Sequence, residues 1–150
     1  MAANSKREQI ILNVVGDLEE LSSIKTVARK QQTHSQLAEF ALTQLPVAAV
    51  VGRLPTFIEK QSGRRTGGVE IFVSKLAVDV YVYFQNIVDP DTQLSSLADD
   101  MWVKFYADQL RGGLALGTSV QLSEDPEYWD PFVAFKLTAV MQYTHGIGGI

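Results

Sequence analysis

The chain has 150 residues, 46% of them hydrophobic and 20% charged, with a formal net charge of −4 at pH 7. That length suits one domain able to bury a real core, and that composition excludes a disordered or collagen-like polymer. Cysteine is absent and the two histidines, His34 and His145, lie far apart, which excludes disulfides, thiol nucleophiles, iron–sulfur clusters and local zinc motifs, while the negative total argues against a generic nucleic-acid coat.

Basic residues Lys6 and Arg7 precede IILNVVGDLEEL, but Asn13, Asp17, Glu19 and Glu20 break that run, so it does not read as an export signal. The most apolar stretch, Leu76 to Phe84, contains Asp79 and falls far short of the roughly 20 residues of a membrane-spanning helix. No membrane partner is expected, and the protein is expected in a reducing compartment or carried out inside a larger assembly.

In chain order, Ile10, Ile11, Val14, Val15, Leu18 and Leu21 recur at helical spacing, which predicts an amphipathic helix from Ser5 to about Ser22. Ser5 followed by Glu8 is the capping-box pattern at its start. Residues 24–29 alternate and predict a short strand. Ser35 to Leu42 predicts a second, shorter helix with Leu37, Phe40 and Ala41 facing inward, stopped before Leu45-Pro46 because the residue preceding proline is pushed out of helical geometry. Val47 to Val51 reads as a buried strand.

Residues 52–68, GRLPTFIEKQSGRRTGG, have the turn-rich composition of an extended loop or hairpin with its tip near Ser62-Gly63. Val69 to Gln85 carries the strongest strand signal. One parity, Phe72, Ser74, Leu76, Val78, Val80, Val82 and Phe84, is nearly all apolar and is assigned to the core. The other, which includes Lys75, Asp79, Tyr81 and Tyr83, is half wet. Tyr81 and Tyr83 are either a subunit contact or an inner face under the short helix, with the contact favoured.

Thr92 to Arg111 predicts a helix through Leu94, Leu97, Met101 and Phe105, with Arg111 in the last turn complementing the dipole and Gly112-Gly113 ending it. A polar acidic loop, Ser123 to Asp130, leads to a final strand from Phe132 to Thr144. The glycine-rich residues 145–150 are expected to be a flexible C-terminal arm, ordered only against a partner. The expected architecture is a single α+β domain over residues 1–150: a twisted, mainly antiparallel sheet of about four strands with helices packed on one face.

Charge is uneven. Residues 86–130 hold nine acids and two bases, a net −7, whereas Arg53, Lys60, Arg64 and Arg65 stand against Glu59 in residues 53–65, a net +3. Opposed patches on one small domain suit head-to-tail docking between copies. No Walker A, dinucleotide-binding glycine fingerprint, G-x-S-x-G or H-E-x-x-H motif occurs. Asp99-Asp100 and Glu19-Glu20 are adjacent on helices and diverge by about 100°, which suits solvated faces better than shared chemistry. The segment Ser62 to Gly68 offers backbone N–H groups and arginines that could cradle phosphate, although a protein contact or a plain solvated turn explains it as well. No enzymatic site and no cofactor or metal site is read from these residues.

The layout resembles the tail terminator proteins of long-tailed bacteriophages. The resemblance rests on ALTQLPVAAVV at Ala41–Val51, the long strand VEIFVSKLAVDVYVYF, the helix closed by QLRGG and the last strand ending VMQYTHG, and it spans essentially the whole chain. It implies a non-enzymatic structural virion protein that forms a ring, a homohexamer, on the head-proximal end of the tail tube. That ring would stop tube polymerisation and supply the head–tail joining surface. The implied partners are further copies of the chain, the tail tube protein and the head connector or stopper protein, with genomic DNA passing through without sequence-specific binding. The implied location is the tail or neck of the virion, and the host cytoplasm during assembly. Candidate contact residues are Arg53, Lys60, Arg64, Arg65, Tyr81, Tyr83, Ile147 and Ile150. The alternatives are a head-completion or connector adaptor ring protein, and a small cytosolic ligand-binding α+β domain.

Overall fold

The computed structural model describes residues 5–66, 69–86, 88–121 and 125–146, with side chains described outside 61–70. Helix α1 (Lys6–Glu19) begins where Ser5 accepts a 3.2 Å hydrogen bond from the Glu8 backbone N–H, and it buries the stripe Ile10, Ile11, Val14 and Leu18. Next come β1 (Thr26–Ala28), α2 (His34–Ala38), a 3₁₀ turn at Leu42–Gln44, β2 (Val47–Gly52), β3 (Thr56–Thr66) and β4 (Val69–Gln85). They are followed by α3 (Pro90–Ala107), β5 (Gly117–Gln121), β6 (Glu127–Trp129) and β7 (Phe132–His145).

β4 and β7 form the spine of the sheet, antiparallel from Phe72 opposite His145 to Gln85 opposite Phe132. On the far edge of β4, β2 pairs with Val78–Tyr83 while β3 pairs with the stretch from Val69 to Lys75. β1 joins β2 in parallel, and on the far edge of β7 lie β5, opposite Thr138–Gln142, and β6, opposite Phe132–Ala134. The result is one α+β domain with a mixed sheet of seven strands among the described residues. About four were expected. The additions are the β3 arm of the hairpin and the short β5 and β6, which carry little apolar pattern of their own and become strands by pairing with β7.

The alternation of β4 sets the core as expected. Leu76, Val78, Val80, Val82 and Phe84 are fully buried beneath α1 and α3, and Leu137, Ala139, Met141 and Tyr143 of β7 join them. Burial of each large aliphatic or aromatic side chain contributes about 1.5–3 kcal/mol. Phe72, assigned to the same core, is only half buried: it lies at the end of the β4–β7 pairing, between Lys60 of β3 and His145 of β7, packing edge-on against Phe57 at 6.1 Å.

The helices do not share one face. Leu37 of α2 packs with Val47, Ala49, Tyr83, Phe132 and Ala134 on the opposite side of the sheet from α1 and α3. α2 is also shorter than expected, and Ala41 is exposed rather than inward. α3 ends at Ala107, four residues before the predicted stop, and Arg111 lies beyond it with φ +49° and a fully buried side chain. His145, expected in the arm, is the last residue of β7, with its Nε2 2.7 Å from Ser74 Oγ. Ile147 and Ile150 lie outside the described residues.

Candidate interaction surfaces

At one end of the spine, β3 and the start of β4 form the hairpin anticipated at residues 52–68. β3 runs to Thr66 opposite Val69, so the turn falls later than the expected Ser62-Gly63. Leu54, Phe57 and Ile58 are exposed apolar side chains, and Glu59 and Lys60 are exposed beside them. The pairing shifts between Phe57 and Glu59, a bulge of the kind that bends an edge strand away from further pairing. Arg64 and Arg65 follow on the same strand, with side chains outside the description.

Arg53, expected at a subunit contact, pairs within the chain while its side chain stays half exposed. Its Nε and Nη2 each donate to Asp79, both at 2.9 Å, and Thr138 Oγ1 donates to the same carboxylate at 2.7 Å. This explains how Asp79 sits buried on the parity read as wet. Burial penalises its charge, but the Arg53 and Thr138 hydrogen bonds outweigh that and hold the carboxyl below its ordinary range.

At the other end of the spine, the tyrosine pair divides. Tyr83 is an inner-face residue, 2% exposed beneath α2, which overturns its assignment to a contact surface. Its hydroxyl accepts from the Gln32 backbone N–H at 3.2 Å, and burial raises its pKa above the usual value. Tyr81 is partly exposed, with Lys136 Nζ 6.0 Å from its ring centroid. The ring of Trp129 lies 5.9 Å from that of Tyr83, and Trp129 Nε1 donates to Glu127 at 3.0 Å. Together with Gln32 and Asp125 these residues wall a cleft of about 200 Å³. The sequence reading missed Trp129, Glu127 and Lys136. The available signal was the aromatic sequence Tyr128-Trp129 placed against the Asp130-Pro131 turn.

The acids of residues 86–130 are spread over α3 and the segment leading to β7. Asp89 caps α3, Asp91 and Asp99 are exposed on it, and Asp125 and Glu127 are exposed at the cleft. Among the described residues no group of three or more His, Asp or Glu is arranged to hold a metal ion, and no helix is long and apolar enough to cross a membrane. The chain matches no protein-family model and no curated protein.

Proposed function

We propose that the chain is a structural, ring-forming component of a phage tail, a terminator that caps the tube and presents the joining surface to the head. The observation that carries this reading is the placement of two unlike surfaces at opposite ends of β4. The basic tip of the hairpin, with Arg64 and Arg65, occupies the Val69 end, its exposed apolar Phe57 and Ile58 lie further along beside Val73 and Ser74, and the acid-rimmed aromatic cleft occupies the Tyr81–Tyr83 end. The stretch from Val69 to Tyr83 spans roughly 45 Å of strand at about 3.3 Å per residue. Unlike surfaces so far apart favour heterologous contacts, which close into rings when the rotation between neighbours allows. In such a ring, acids facing the bore would let DNA slide, since they neutralise no phosphates.

Sedimentation of the purified chain, alone and mixed with polymerising tail tube protein, tests the proposal. A closed oligomer, or a monomer that halts tube growth at one end, is the expected result. A chain that remains monomeric and leaves tube length unchanged would refute it.

A further inference from the structure

Resting on that ring reading, we infer that the cleft walled by Tyr81, Trp129, Asp125 and Glu127 is a socket for an arginine side chain, Arg64 or Arg65, from the hairpin of a second copy of the chain. The cleft volume of about 200 Å³ matches roughly six to seven waters at about 30 Å³ each, room for a guanidinium and part of its stem. Its walls have the chemistry a guanidinium seeks. Lys136 Nζ already lies 6.0 Å from the Tyr81 ring centroid, so the cleft holds one cation of its own and the attraction for a second rests on the two acids and the Trp129 ring. Glu127 is oriented by the 3.0 Å bond from Trp129 Nε1, and a carboxylate has lone pairs enough to accept a second donor. Asp125 adds a second exposed acid to the lining.

The donor follows from charge and reach. Arg53 is held by Asp79, so the hairpin's other cations are Lys60, Arg64 and Arg65 and, at its root on β4, Lys75, set against Glu59 and Glu70. Arg64 and Arg65 sit nearest the turn, farthest from the β2 end of the sheet. An arginine suits the socket better than a lysine because its planar guanidinium stacks on rings while forking onto carboxylates. The same chain cannot supply it, because hairpin and cleft are at opposite ends of β4. A second depression, lined by Lys75, Gln109, Thr118 and Gln142, includes no acid and so lacks this complementarity.

The test is a charge swap read by sedimentation velocity at low and high salt. Arg64→Glu with Arg65→Glu, and separately Asp125→Arg with Glu127→Arg, should each weaken self-association at least tenfold, most strongly at low salt. The four changes combined in one chain should restore most of it. Circular dichroism checks folding, and Asp125→Asn with Glu127→Gln carries the cleft arm if the arginine variant misfolds. Wild-type-like assembly of the cleft variant would overturn the socket and leave the ring reading standing. Loss without rescue in the combined chain would overturn the pairing of hairpin with cleft. A wild-type chain that never self-associates, even on added tubes, would overturn both.

Discussion

Arg53 and Asp79 form a two-pronged ion pair across 26 residues of sequence, with both guanidinium nitrogens 2.9 Å from a carboxylate oxygen. The acid is buried and its partner is half exposed, so the pair ties the root of the hairpin to the middle of β4. Removing the guanidinium leaves a buried carboxylate short of its main donor. Arg53→Ala is expected to cost about 1–3 kcal/mol in urea unfolding.

The same pair sets a pH dependence. Asp79 is held below the ordinary carboxylate pKa when folded, so the unfolded chain takes up that proton first as pH falls. Its stabilising contribution is therefore complete above the unfolded value of about 3.9 and is lost as pH falls through the lower folded value. Urea titrations from pH 7 to pH 2 should show a shallower acid loss in Asp79→Asn than in the wild type. Equal slopes in the two chains would remove Asp79 from the acid limb.

Arg111 is the largest fully buried side chain, and it reaches Asp17 of α1, the Phe105 carbonyl and, at 3.5 Å, Asn13 Oδ1. It also lies with its guanidinium carbon 5.7 Å from the Phe105 ring centroid. Breaking a buried pair on one side costs about 3–5 kcal/mol, whereas replacing both partners with apolar groups is often neutral. Arg111→Met should lower the melting temperature by roughly 6–20 °C at about 2–4 °C per kcal/mol. Asp17→Leu added to it should recover much of the loss, as read by calorimetry.

His145 closes the sheet rather than trailing from it. Its ring stacks on Phe72 at 5.9 Å and its Nε2 meets Ser74 Oγ at 2.7 Å. His145→Ala is expected to destabilise the chain by about 1–2 kcal/mol. Ser74→Ala should add less than its own separate cost, because the two share one bond. Full additivity in thermal melts would show that the bond contributes nothing.

Val80 and Lys75 test the two parities of β4 directly. Val80 is fully buried and Lys75 is exposed. Val80→Asp should unfold the chain, since an unpaired buried charge costs several kcal/mol. Lys75→Asp should stay within about 0.5 kcal/mol of wild type. Similar melting curves for the two variants would mean that the faces are exchanged.

The core face of β4 was legible because a strict period of two leaves one choice of inward side, and α1 was legible because Ser5 and an unbroken apolar stripe agree. What lay hidden depended on neighbours distant in sequence. Asp79 reads as a wet residue until Arg53 and Thr138 are placed around it. α2 buries a single residue, Leu37, which says nothing about which face of the sheet it covers. β5 has one large apolar residue, Val120, and owes its conformation to β7. The cleft escaped notice for the same reason: Tyr83, Gln32 and Trp129 come from three separate segments.

The order in which the spine's strands leave the ribosome has a consequence for biosynthesis. β2 and β3, the partners on one edge of β4, precede it in the chain, but β7, its partner on the other edge, is completed only at His145, sixty residues after Gln85. At about 5–20 residues per second, that interval lasts roughly 3–12 s. For that time β4 has one edge covered and one row of backbone donors and acceptors open to any passing strand. The nascent chain is therefore most exposed to mispairing and chaperone capture between the emergence of β4 and that of β7, and slowing translation over residues 86–131 should lower the soluble yield.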